Sequence, residues 1–357
     1  MRTRRRLIAL VCFLIVSLFT FGKHNSALAD SGTNLTTSPI TLGLNIKPGS
    51  GETQTLQVKN NASTPVQINM QIKTFGAYGA SGQAAITNFP SSDPAASYIK
   101  LSPTTFMAQP GVWNYVKATI ALPKVASLGY YYAVVFKPIV TNPVTLPNHN
   151  VVTGSNAILM LVDTGSTNEI KQVQVANFSA TKHLYEYLPA SFNVVIHNPG
   201  NIFLAPSGDI FISRNSNGTN TIDSLPINSG GGNVLPDSNR GFSANWQNGS
   251  PLFVPLVVNG QPAYNKKGQP VLQLKWNFSQ INKLRIGKYF AKLALAYNNG
   301  NHEVLLNSTI SFWVIPWKIL LVLLLIALLV LFSVYSLVRS IIRRTKAFRN
   351  KKRKSSH

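Results

Sequence analysis

Val66-Gln67-Ile68-Asn69-Met70-Gln71-Ile72-Lys73 puts an apolar side chain at every second position across a full strand length. Successive side chains of a strand point to opposite faces, so this period buries Val66, Ile68, Met70 and Ile72 and leaves the other four in water. The same alternation recurs in Leu56 and Val58, in Val116, Ala118, Ile120 and Leu122, and in Phe192, Val194 and Ile196. No stretch before Ile315 sustains the 3.6-residue stripe of an amphipathic helix. The fold class expected is all-β.

Outward from that strand, turns fall at Pro48-Gly49, Asn60-Asn61, Ser102-Pro103, Pro110-Gly111 and Pro123. Proline and glycine fix unusual backbone angles there, or asparagine tolerates them. Strands at this spacing between about Pro39 and Asp163 predict an immunoglobulin-like β-sandwich. Gly129-Tyr130-Tyr131-Tyr132-Ala133-Val134-Val135-Phe136 reads as a central strand, and Ala157 to Val162 as a last one after the loop Thr141 to Gly154. From about Glu169 to Val314 the theme repeats. Phe192 to His197 runs into Asn198-Pro199-Gly200-Asn201, much as Val58-Lys59 runs into Asn60-Asn61, which suggests an internal duplication. Ser213 to Ser250, with Ser229-Gly230-Gly231-Gly232, is either a mobile insertion or holds a hairpin near Ile222 to Ile227.

The ends set the topology. Arg2, Arg4, Arg5 and Arg6 precede an apolar run from Leu7 to Phe21 and the triplet Ala27-Leu28-Ala29, the layout of a secretory signal peptide cut after Ala29. An uncleaved N-terminal anchor is the alternative. Ile319 to Val338 reaches the length of a bilayer-spanning helix, with Trp313 and Trp317 at its entry and Lys318 able to snorkel. Nine basic residues follow without an acid, beginning with Arg339, Arg343, Arg344 and Lys346. The positive-inside rule makes this tail cytoplasmic and the sandwiches extracellular. A polybasic tail can also meet anionic lipid.

The formal net charge of +23 comes largely from those ends, since only 18 basic residues face 10 acidic ones between Asp30 and Ile315. That excess favours anionic partners such as wall polymers. Nucleic acid is not expected, because no basic cluster interleaved with aromatics appears. The single cysteine, Cys12, lies in the N-terminal apolar run, so disulfides contribute nothing to the mature fold.

No catalytic set, metal set or cofactor motif stands out. The histidines are scattered, the acids isolated, and Ser229 to Gly232 lacks the Lys-Ser/Thr of a phosphate cradle. A non-enzymatic role without cofactor or metal is expected. Aromatic side chains are the candidates for ligand contact. Trp113, Tyr115 and Tyr131 are possible sugar-stacking platforms, although consecutive tyrosines in a strand point both ways and part of the set must be core. Trp246, in the long polar stretch, is expected as an exposed anchor for a protein partner.

The order Pro48-Gly49, Thr53, Leu56-Gln57-Val58-Lys59-Asn60-Asn61, Leu101-Ser102-Pro103, Pro110-Gly111, Val116-Lys117-Ala118-Thr119-Ile120, Pro123 and Gly129-Tyr130-Tyr131 resembles the N-terminal domain of the WxL-interacting cell-surface proteins of Gram-positive bacteria. The layout of signal peptide, that domain, a second sandwich, one membrane helix and a basic tail is similar too. The resemblance implies a peptidoglycan-binding first domain and a second domain that binds host or partner proteins, and it transfers no individual ligand residue. The expected organisation is a signal peptide (1–29), a first sandwich (30–165), a second sandwich (166–314) with an insertion (213–250), a transmembrane helix (315–338) and a cytoplasmic tail (339–357). Such a protein sits in the cell membrane as a single-pass binder of peptidoglycan, an anionic wall polymer or a surface protein. The alternative is a structural subunit of an envelope complex with no glycan binding.

Overall fold

A computed structural model describes residues 35–139, 155–258 and 260–354, without the side chains of 281 and 343–354. The predicted signal peptide, the loop Thr141 to Gly154 and the side chains of Arg343, Arg344 and Lys346 lie outside the described residues.

Two sheets form the first sandwich. One orders β1 (Leu35–Ser38), β3 (Gly51–Asn60), β8 (Trp113–Ala121) and β6 (Ile99–Ser102). The other orders β2 (Thr41–Asn45), β10 (Asn156–Asp163), β9 (Gly129–Ile139), β4 (Val66–Ala77) and β5 (Ala84–Thr87), with β7 (Thr105–Ala108) also on β4. The alternating apolar residues meet between them, where Leu56, Val58, Val116 and Ile120 pack on Ile68, Met70, Phe136 and Met160. Each such side chain contributes roughly 1.5–3 kcal/mol by leaving water.

The second sandwich repeats the plan. Strands β11 (Gln174–Ala180), β13 (Ala190–Asn198) and β16 (Ser238–Trp246) form one sheet. The other orders β12 (Leu184–Tyr185), β22 (Glu303–Val314), β21 (Gly287–Asn298), β14 (Ser207–Ser213) and β15 (Asp223–Ile227). Each sandwich has one parallel pair at a sheet edge, β2 with β10 and β12 with β22. Each also ends a core strand on a fully buried asparagine that closes the following turn. Asn60 donates from Nδ2 to the carbonyls of Thr64 (2.7 Å) and Ala108 (3.1 Å) and accepts at Oδ1 from the Ala62 N–H (2.9 Å). Asn198 donates to the carbonyls of Ile202 (2.8 Å) and Val234 (2.9 Å) and accepts from the Gly200 N–H (2.9 Å).

The stretch 213–250 is not an insertion outside the fold. It carries β15, which pairs with β14, and β16, which pairs along all of β13. The segment that does stand apart from the sandwich follows it. Strand β17 (Leu252–Pro255) pairs with β20 (Leu272–Lys275), and β18 (Val257–Val258) pairs with β19 (Gln261–Pro262) between them.

The sandwiches touch. Strand β9 is buried on both faces: Tyr132, Val134 and Phe136 point into the first core, while Ala133 and Val135 join Phe75, Leu161, Phe203 and Leu235 in a cluster shared with the second sandwich. Double burial is why β9 reads as an unbroken apolar run. The β4–β5 hairpin reaches across, and the Ala80 carbonyl accepts from the Gly241 N–H at 2.7 Å.

Helix α1 (Trp317–Lys354) leaves directly from the end of β22. Its apolar stretch spans Trp317–Ile342, 26 residues, or about 39 Å at a rise of 1.5 Å per residue, enough to cross a bilayer. It begins two residues later and extends four residues further than the expected 315–338, so Arg339 lies within it.

Candidate functional site

The outer face of the sheet β1-β3-β8-β6 gathers two of the four aromatic candidates. In β8, Val116, Ala118 and Ile120 point inward, so the two-residue period sends Trp113, Tyr115, Lys117 and Thr119 outward. Register builds rows across the strands. Trp113 lies opposite Lys59, Tyr115 opposite Gln57, Lys117 between Thr55 and Ser102, and Thr119 between Thr53 and Lys100. Beyond β3, Thr36 adjoins Lys59 and Ser38 adjoins Gln57. Tyr115 is 61% exposed. Trp113 is half-buried beneath Lys59, whose Nζ stands 5.3 Å from the indole centroid. The face thus presents two neighbouring aromatic rings, three lysines, and hydroxyl and amide groups, with no carboxylate among its outward positions. Aromatic faces stack on sugar rings and lysines attract anionic groups.

The other two candidates fall elsewhere. Tyr131 is only partly exposed and its hydroxyl is buried, because its side of β9 is covered by the second sandwich. Its ring packs edge-on against Phe75 (5.9 Å) and Phe203 (6.3 Å), and burial, followed by the nearby Asp163 carboxylate, pushes its phenol upward. Trp246 is fully buried and not a surface anchor. It ends β16, where Ala244 and Trp246 point inward, and packs on Tyr289 (5.0 Å) and Phe312 (6.0 Å). Serines and asparagines on the outward positions disguised that strand in the sequence.

A concavity lies between the sandwiches. This cleft of about 610 Å³ is lined by Ile40, Phe75 and Leu161 from the first and by Gly230 to Asn233, Leu235 and Arg240 from the second. The Arg240 guanidinium donates from Nη1 to the Asn233 carbonyl (2.7 Å) and lies 5.5 Å from the Phe242 ring. Burial lowers its pKa from the ordinary value. Sequence reading did not find this residue, since only the fold brings it to the cleft.

Three candidates lie where β22 runs into α1. Trp313 is the last outward aromatic of β22 and Trp317 opens α1; both are about half exposed. Lys318 folds back, its Nζ 2.9 Å from Glu186 and 5.6 Å from the Trp317 ring. Among the described residues, no group of three or more His, Cys, Asp and Glu side chains is placed to hold a metal.

The protein is a chain of immunoglobulin-like β-sandwiches with, among the described residues, one helix of membrane-spanning length. No protein-family model and no curated protein matches it. Solved structures resemble it at low similarity. The class 5 fimbriae chaperone CfaA shares 15% identity at a TM-score of 0.35, covering 77% of this chain and 98% of the chaperone. The E. coli chaperone DraB shares 11% at 0.32, covering 79% and 98%. PapD-like domain 7 of human CEP192 shares 14% at 0.25, covering 37% and 86%. No residue role passes to this chain from any of them.

Proposed function

We propose that this is a non-catalytic, membrane-anchored bacterial cell-surface protein of the WxL-interacting type, whose first sandwich binds peptidoglycan or an attached anionic wall polymer. The observation that carries this reading is the outward face of the sheet β1-β3-β8-β6, where Trp113 and Tyr115 stand side by side among Lys59, Lys100 and Lys117 with no acid. Two aromatic residues two positions apart on a strand present rings about 7 Å apart. That separation suits a polysaccharide laid along the strand. Helix α1 supports the anchoring, with the basic tail inside and the sandwiches outside. Confinement near the wall raises the effective concentration of the polymer, so modest affinity at the face suffices.

The test is co-sedimentation of the full chain in detergent with purified sacculi, with and without their anionic polymers, at low and high salt. Salt-resistant pelleting that Trp113→Ala and Tyr115→Ala each reduce at least about tenfold, as loss of a stacking contact near 1.4 kcal/mol implies, supports the glycan reading. Pelleting that only removal of the anionic polymers abolishes points to the lysines as the main contact. Absence of pelleting at any salt overturns it and favours a structural subunit of an envelope complex.

A second reading rests on the cleft between the sandwiches. Its apolar walls and single cation, with no acid in the lining, suit a partner-protein segment that carries a carboxylate. Binding of a surface partner abolished by Arg240→Gln, with sacculus binding intact, would assign that role to the cleft.

A further inference from the structure

The segment between β16 and β21 gathers at one end of the second sandwich, the end from which α1 departs. Strand β12 runs parallel to β22 and ends at Tyr185 opposite Val314, so Glu186 to Leu188 lie beside the start of the helix. Strand β21 begins at Gly287, also opposite Val314. Strand β16 ends at Trp246 opposite Ala190, just after Leu188 and Pro189. The intervening segment, Gln247 to Ile286, therefore both leaves and re-enters the sandwich at the membrane end.

Its root is pinned there. The Phe253 N–H donates to the Leu188 carbonyl (2.8 Å), the Ser250 N–H to the Lys283 carbonyl (3.1 Å), and Arg285 Nε to the Asn248 carbonyl (2.9 Å). Tyr187 packs edge-on against both Phe253 (5.9 Å) and Trp276 (6.2 Å). Its neighbour Glu186 holds Lys318 of the helix. Two side-chain contacts thus connect Trp276 to the first turn of α1.

The composition of this segment matches its position. Val257, Val258, Tyr264, Leu272, Trp276 and Phe278 are each more than two-fifths exposed, and Trp276 stacks on Phe278 with centroids 5.8 Å apart. Lys266, Lys267, Lys275, Lys283 and Arg285 lie among them, and no acidic residue occurs between Asp237 and Glu303. Exposed aromatic and aliphatic side chains interleaved with basic ones suit a headgroup layer, where rings sit at the interface and cations meet lipid phosphates.

We infer that the segment Leu252 to Ile286 is a lipid-docking platform. It lies on the leaflet next to the sandwiches, prefers anionic phospholipid, and holds the second sandwich at a fixed attitude to the bilayer that α1 alone would leave free. The inference rests on α1 being membrane-inserted and goes beyond the binding role of the first sandwich.

The test uses the full chain with Cys12→Ser, carrying a single environment-sensitive fluorophore at Phe278→Cys or Tyr264→Cys, and a control label at Tyr115→Cys. Each variant is reconstituted into phosphatidylcholine vesicles with or without phosphatidylglycerol. Flotation reports insertion of α1. Labels at 278 and 264 are expected to shift to the blue and be quenched by shallow spin-labelled lipid, more strongly with phosphatidylglycerol, while the label at 115 stays open to aqueous iodide. Lys266→Glu with Lys267→Glu should lower the docked-to-free ratio at least roughly fivefold per lysine in phosphatidylglycerol vesicles. Flotation with iodide-accessible labels at 278 and 264 overturns the inference and leaves anchoring intact. Failure to float overturns the anchoring, and the platform with it.

Discussion

Asn60 and Asn198 show how much can depend on a single side chain. Each is fully buried and makes three hydrogen bonds that no other side-chain type could supply with the same shape. Asn198→Ala leaves the Ile202 carbonyl and the Gly200 N–H without the Asn198 side chain and takes one of two donors from the Val234 carbonyl, which still accepts from the Leu204 N–H at 3.1 Å. At about 1–3 kcal/mol for an unsatisfied buried group, partly relieved by relaxation, the expected loss is roughly 3 kcal/mol by chemical denaturation. Asn198→Asp should not recover it, since the carboxylate keeps the acceptor and loses both donations. A loss below about 0.5 kcal/mol would contradict the hydrogen-bond assignment. The tryptophans make the complementary case. Trp246→Ala should cost about 3–5 kcal/mol as a core truncation, whereas Trp113→Ala should change stability by less than about 1 kcal/mol. Equal costs at the two positions would contradict the placement of one in the core and the other on the surface.

At the scale of elements, periodicity revealed most of the strands, because half-buried strands alternate, as β8 does from Tyr115 to Ala121 and β4 does until Phe75 turns to the opposite face. Two features were hidden for physical reasons. In β16, only Ala244 and Trp246 are buried, and the polar residues around them gave the stretch the composition of a loop. The platform between β16 and β21 has no buried face of its own, so its strands lack the alternation that marks a core strand. The outward face with Trp113 and Tyr115 was legible as aromatic candidates. Its lysines were not, because Lys59, Lys100 and Lys117 come from three strands that only register brings together.

The connection from β10 to β11 carries a testable electrostatic device. Lys171 Nζ lies 2.9 Å from Glu169 and 3.9 Å from Asp163. Burial, then the hydrogen bond with Glu169, raises the Asp163 pKa. Burial pushes Glu169 upward as well, but its bonds to Asp163 and Lys171 outweigh this and hold it below its ordinary value. A raised folded pKa means that the stabilisation from Asp163 is complete below its unfolded value, about 3.9, and is lost as pH rises through the folded value. Asp163→Asn removes that loss and keeps an acceptor for the Gly165 N–H. Its thermal midpoint should therefore exceed wild type at pH 7, with the difference shrinking toward about pH 4. A variant less stable than wild type at pH 7 would show that Lys171 gains more from Asp163 than the two carboxylates lose.

Over the whole molecule, the two sandwiches share the cluster around Tyr131 and Phe203, and α1 follows the second sandwich without a linker longer than Ile315 and Pro316. The proposed wall-binding face belongs to the sandwich that does not carry the helix, so anchoring and binding occupy different parts of one connected body. The most direct measurement is hydroxyl-radical footprinting of the full chain, free and bound to sacculi. Oxidation of Trp113 and Tyr115 should fall on binding, while exposed Tyr78 beside the cleft and Tyr264 on the platform stay unchanged. Unchanged oxidation of Trp113 and Tyr115 in protein that has pelleted with sacculi would contradict the assignment of the wall-binding face.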